Sequence, residues 1–145
     1  MLDDSYGNKI STSSVDAIES YNQGVHQFLG AEPGVEASFK AALSADPKFT
    51  LAHVGLAREM QLRGRWDDVK QSLNTAFETS LSLSAREQSH LSVSSLLLRG
   101  KSAEARVAVY EHVKEWPRDV LIAQMCTSVF GLIGFSGLPG REAEQ

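Results

Sequence analysis

Leu56 and Ala57, then Gly64, then Val69, Leu73 and Ala76 form a pattern of apolar and small positions that returns along the chain. One period earlier, Val35, Phe39 and Ala42 stand at the offsets of Val69, Leu73 and Ala76, and Pro47 closes that unit. One period later, Val93, Leu96, Gly100, Ala105 and Val109 repeat the arrangement ahead of Pro117. Gly64 to Gly100 is 36 residues and Pro47 to Pro117 is 70. These are one and two periods of about 34 residues, the length of a helix-turn-helix repeat, plus the same two extra residues. The insertion falls around Ser84 and Ala85. Three units result, 16–49, 50–83 and 86–119, and a partial fourth, 120–145, carries Cys126, Thr127, Phe130 and Gly134 at matching positions. Small residues at facing positions let paired helices approach closely, and the larger residue between them fills the remaining gap.

Helix start and stop signals turn this pattern into elements. Met1 to Ser13 is polar, with a turn signal at Tyr6-Gly7-Asn8, and reads as a lead-in that is loose or lies across the first helices. Ser13 or Ser14 caps a helix over 15–29, and Asp16 and Glu19 suit its dipole. Gly30 and Pro33-Gly34 end that helix and start a second over 33–45. A third spans 49–63. Its apolar residues Leu51, Val54 and Leu62 on one side and Leu56 and Met60 on another are too broad for a helix with one wet face. A fourth spans 65–80 and packs Val69, Leu73, Ala76 and Phe77. Ser84-Ala-Arg-Glu87 has the spacing of a capping box and starts a fifth helix reaching Arg99. Ser102 caps a sixth, stopped at Trp116-Pro117 because a residue before proline avoids helical geometry. A seventh spans 120–134, and Gly131, Gly134, Gly137 and Pro139-Gly140 mark the 136–145 tail as flexible.

Composition narrows the class. Hydrophobic residues at 42% and charged residues at 22% are ordinary for a soluble domain. The net charge of −4 comes with no run of Lys or Arg to neutralise phosphates, so no nucleic-acid partner is expected. No apolar run is long enough to span a bilayer, and Asp3 and Asp4 stand where a signal peptide needs positive charge, so the expectation is no membrane partner and a cytoplasmic location. The single Cys126 is expected to be a buried thiol.

These residues carry a resemblance. The chain resembles the tetratricopeptide superfamily over Asp16 to Gly134. More narrowly, it is similar to the amino-terminal part of the tetratricopeptide repeat protein 38 family. That likeness rests on Tyr6-Gly7-Asn8 with Ser13-Ser14, Phe39-Lys-Ala-Ala-Leu-Ser-Ala-Asp-Pro47, Leu51-Ala-His53, Arg63-Gly-Arg-Trp66, Leu83-Ser-Ala-Arg-Glu87 and Trp116-Pro-Arg-Asp119. It implies an all-α fold, a tetratricopeptide-type right-handed superhelix of antiparallel helix pairs, and a chain shorter than its family. It supplies no substrate.

In such arrays the first helix of each pair lines a concave groove. The resemblance puts Phe28, Leu51, Val54, Arg58, Gln61, Leu62, His90, Ser94 and Leu97 there as candidate partner-binding residues. Ser20, Val54 and His90, with Gly24, Arg58 and Ser94, stand where carboxylate-clamping members have Lys and Asn, so a clamp of that kind is not expected. No serine sits in a nucleophile elbow, and His26, His53, His90 and His112 lack the spacing of a metal motif. His53 reads as a satisfied core histidine. The expectation is therefore a non-enzymatic scaffold binding a protein or peptide segment, with no catalytic residues, metal or cofactor. The alternatives are the helical amino-terminal portion of a longer enzyme whose catalytic residues lie beyond residue 145, or a self-assembling solenoid. Leu121, Met125, Val129, Phe130, Leu132, Ile133 and Phe135 crowd the seventh helix without a following cover. That leads to the expectation of exposed apolar surface and self-association through the carboxy-terminal end.

Overall fold

A computed structural model describes residues 1–126. The chain is mostly helical. A two-residue antiparallel ladder, β1 (Leu2–Asp3) with β2 (Lys9–Ile10), precedes α1 (Val15–Leu29), α2 (Val35–Ala45), α3 (Thr50–Leu62), α4 (Trp66–Glu78), α5 (Ala85–Leu98), α6 (Ser102–Glu115) and α7 (Val120–Ala123). Single 3-10 turns follow α4 at Ser80–Ser82 and α7 at Gln124–Cys126. α1 packs on α2, α3 on α4 and α5 on α6, so consecutive helices pair as hairpins.

Local chemistry explains the boundaries. Ser14 Oγ accepts from the Ala17 backbone N–H and fixes the start of α1. Ser84 and Glu87 form the expected capping box at α5, each side chain engaging the other's backbone N–H. Gly64 and Gly100 follow α3 and α5 with φ of +70° and +73°, a left-handed turn that glycine adopts without a Cβ penalty. Two starts differ from expectation. α2 begins at Val35 rather than Pro33, because Gly34 takes φ +96° and cannot be helical. Ser102 is the first residue of α6 rather than its cap, a position held by Lys101 without a side-chain bond.

α3 is buried nearly all round, from Thr50 to Met60 with His53 half-buried, which accounts for its two apolar sides. It lies against α2, α4 and α5. Phe39, fully buried, projects from α2 into the space where α1 and α3 both carry glycine, Gly24 and Gly55. Tyr21 completes this core, its ring 4.9 Å from Phe49 and 5.9 Å from Phe39. Phe77, expected to pack with Leu73, is instead 45% exposed, because it stands on the outer side of α4. A second apolar cluster joins Val93, Ala105, Val109, Ile122 and Met125 across α5, α6 and α7. Leu121 and Met125 are buried rather than exposed; Val129, Phe130, Leu132, Ile133 and Phe135 lie outside the described residues, as does the Cys126 side chain.

The lead-in is tied down. Ile10 is fully buried, Thr12 Oγ1 donates to Asp46 Oδ2 at 2.7 Å, and the Ser11 backbone N–H donates to Glu87 at 2.9 Å. Asn8 Nδ2 donates to the Arg118 carbonyl at 2.9 Å. The β1/β2 hairpin thereby bridges the end of α2, the start of α5 and the turn before α7. α4 packs less closely on α5 than α2 does on α3, whereas α3 packs more closely on α5 than α1 does on α3.

Candidate functional site

Two features stand out from the packing. The first is a buried polar centre around Asp119. This residue holds the N-cap position of α7, directly after the Trp116-Pro117-Arg118 turn. Arg86 Nη1 donates to its Oδ2 at 2.9 Å, His112 Nε2 approaches the same oxygen at 2.9 Å, and His90 Nδ1 lies 2.9 Å from Oδ2 and 3.1 Å from Oδ1. All four side chains are buried. An ionised carboxylate only accepts, so both ring nitrogens facing it carry protons. Burial pushes the Asp119 carboxyl up. The charge and hydrogen bond of His90, the hydrogen bond from His112 and the Arg86 guanidinium outweigh that, and hold it well below the usual carboxylate range.

Partners surround this centre. Arg86 also donates to the Lys9 carbonyl at 3.0 Å, and Glu87, equally buried, takes the hydrogen bonds of Ser11 and Ser84. Burial and the nearby Asp119 charge raise the Tyr21 hydroxyl above its ordinary range. Ser89 Oγ lies 2.7 Å from His112 Nδ1, which makes a chain from Ser89 through His112 to Asp119. That chain lacks the rest of an acyl-transfer site. Ser89 sits inside α5, where backbone N–H groups are engaged by the helix and cannot stabilise an oxyanion. His90 Nε2 and Ser94 Oγ are buried without a hydrogen-bond partner among the described residues.

The expected groove residues divide into two groups. Leu51, Val54, Arg58, His90 and Ser94 are buried, so no partner can touch them in this arrangement. Arg58 shows why. Its Nη1 donates to the Leu121 carbonyl at 2.6 Å and its Nη2 to Gln124 Oε1 at 2.8 Å, while the guanidinium lies 4.9 Å from the centre of the Phe28 ring. The chain's own Leu121 and Gln124 therefore occupy Arg58. Burial lowers the Arg58 pKa to about 10, partly offset by Asp119, and the group remains charged at neutral pH. Phe28, Gln61 and Leu97 are half-buried, and Leu62 is exposed. His53 is satisfied, with Nε2 2.9 Å from the Pro47 carbonyl, but it sits at the surface rather than in the core.

The second feature is a cleft of about 540 Å³ lined mainly by α4 and the end of α5. Trp66, Val69 and Leu73 from α4 face Leu97 and Leu98 from α5 across it, with Gln61 at one end. Lys70 and Arg99 stand in its wall and no acidic residue does. Neither cation makes an ion pair among the described residues. Trp66 is 53% exposed.

Sequence reasoning missed Asp119, His112 and Arg86 because they are far apart along the chain. One signal existed. His112 occupies the position held by Ala42 and Ala76 in the two earlier units, where a small side chain is expected, and Asp119 stands where the first unit has the buried Phe49. Polar replacement at apolar repeat positions marks a buried polar site. No protein-family model, no curated protein and no solved structure matches this chain.

Proposed function

We propose that the chain is a tetratricopeptide-type scaffold that binds a short segment of a partner protein in the α4/α5 cleft. The segment carries apolar side chains flanked by acidic residues. One observation carries this reading: an open cleft with Trp66, Val69, Leu73 and Leu97 in its walls and two cations, Lys70 and Arg99, that make no ion pair among the described residues, on a chain of net charge −4. Apolar anchors supply affinity in such a site, and rim charges select the partner and its orientation. The three helical hairpins support the repeat assignment. The site differs from the concave groove of the resemblance, where Arg58 bonds the chain's own Leu121 and Gln124.

The test uses the full chain with Trp116 replaced by Phe, so that Trp66 alone reports on the cleft. Short peptides pairing two leucines with flanking aspartates are titrated against the same peptides with lysine flanks. The aspartate series shifts Trp66 emission and the lysine series does so at least about tenfold more weakly, equivalent to roughly 1.4 kcal/mol. Lys70→Glu with Arg99→Glu reverses that preference. Absence of binding by every peptide, or a preference untouched by the charge reversal, overturns the proposal.

A further inference from the structure

His90 on α5, His112 on α6 and Asp119 at the N-cap of α7 converge from three elements. One nitrogen of each ring and a carboxylate oxygen all lie within 4.8 Å of one another, and each residue is buried. We propose that this cluster is a binding site for a divalent transition metal, zinc foremost, with the two imidazoles and the carboxylate as ligands.

The donor set fits. Two neutral imidazoles and one carboxylate are ligands of the borderline metals, at metal-to-ligand distances of about 2.0 to 2.2 Å for zinc. His90 Nδ1 and His112 Nε2 already aim at the same carboxylate from separate helices, each 2.9 Å from Oδ2. The carboxylate can serve two partners. Oδ2 keeps Arg86, while Oδ1, which faces only His90, is the oxygen left for a metal.

The surroundings of His112 match what a ligating histidine needs. A metal on His112 Nε2 requires the ring proton on Nδ1, and Ser89 Oγ stands 2.7 Å away to accept it. Binding therefore moves the His112 proton from Nε2 to Nδ1 and rotates the Ser89 hydroxyl, without breaking the contact. His90, whose charge helps hold Asp119 ionised, gives up its Nδ1 proton to solvent and keeps the one on Nε2. Once that proton has left, Asp119 and Glu87 balance Arg86 and Arg58. His90 Nε2, the ring nitrogen that does not face the carboxylate, has no hydrogen-bond partner among the described residues. A buried nitrogen without a hydrogen bond costs about 1 to 3 kcal/mol, and an apolar side chain would fill the same space without that cost.

The test is titration of the metal-stripped full chain with Zn²⁺ alone against a chromophoric chelator, and with Co²⁺ followed by its visible absorption. One equivalent binds, and Co²⁺ gives the bands of a low-coordinate nitrogen and oxygen site. His112→Gln and His90→Gln each weaken Zn²⁺ at least about a hundredfold, whereas Ser89→Ala weakens it about tenfold, as expected for a residue that orients a ligand. His26→Gln changes nothing, since His26 is exposed and pairs with Glu32. Should a core histidine variant fail to fold, proton–nitrogen spectra of the wild type with and without Zn²⁺ decide the matter by shifting the His90 and His112 ring nitrogens and no others. No binding, or binding lost with His26→Gln and kept without His90 and His112, overturns the proposal. The peptide experiment above is independent of both outcomes.

Discussion

A Cβ built on Gly55 would lie 2.6 Å from Cζ of Phe39, closer than carbon atoms approach. Gly24 meets the same ring from α1 at 2.8 Å. Phe39 thus occupies a slot that exists because two helices lack side chains there, and α1, α2 and α3 close around it. Two effects of Gly55→Ala oppose each other. Alanine favours a helix interior by about 1 kcal/mol, whereas overpacking a closed core costs roughly 1 to 3 kcal/mol. Phe39 is a ring held by Tyr21 and two backbones rather than a flexible chain, so overpacking wins. Chemical denaturation shows Gly55→Ala less stable than wild type. In a Phe39→Leu background the ring edge is gone, and the same change becomes neutral or stabilising.

Ala76 is fully buried where α4 meets α3, and Ala42 holds the equivalent place on α2. Leucine at either position forces the helices apart and lowers stability by roughly 1 to 3 kcal/mol. Thermal melts of the two variants fall below wild type by similar amounts, since the two sites are equivalent in the repeat. An unchanged melt in both would show that the helix pairs do not depend on close approach.

Much of this architecture is written locally. The capping box at Ser84, the glycine turns at Gly64 and Gly100 and the small residues Ala42 and Ala76 depend on neighbours in sequence, so periodicity and cap chemistry reveal them. The α2 start was misread because Pro33 is a good first helical residue, and nothing local shows that Gly34 turns left-handed. The inner surface was illegible for a different reason. Whether Arg58 and His90 face a ligand depends on where α7 and the β1/β2 hairpin come to rest, and those contacts span 63 and 77 residues. The polar centre shares this property, with His112 in an alanine position as its one trace.

Arg58 ties α3 to α7 through two acceptors that its planar fork reaches at once, the Leu121 carbonyl and Gln124 Oε1. Lysine keeps the charge but presents a single ammonium on a flexible stem, and loses the flat contact with Phe28. Arg58→Lys therefore strips at least one charge-assisted buried hydrogen bond and costs about 1.5 to 3 kcal/mol. Urea unfolding measures the loss. Hydrogen exchange in α7 rises with it, while exchange in α2, which Arg58 does not touch, rises only as far as global stability falls.

The final prediction concerns the hairpin as a strap. Ile10 is its only fully buried residue, set in the main apolar cluster, while the flanking Lys9 carbonyl and Ser11 bind Arg86 and Glu87. Removing the Ile10 side chain beyond Cβ leaves a cavity and costs about 2 to 4 kcal/mol by the usual large-to-small rule. The hairpin has only a two-residue ladder and few apolar contacts besides Ile10, so it is among the first parts to open. Its release exposes two buried charges at once. Arg86 loses the Lys9 carbonyl but keeps Asp119, whereas Glu87 loses Ser11 and keeps Ser84. The defect therefore spreads to the start of α5 and the turn before α7 sooner than to α3. Hydrogen exchange followed by mass spectrometry of Ile10→Ala shows faster exchange in 1–13, 84–90 and 116–122 under conditions where 50–62 remains protected. Uniform acceleration across all helices would mean that the hairpin is an integral part of one cooperative core rather than a strap across it.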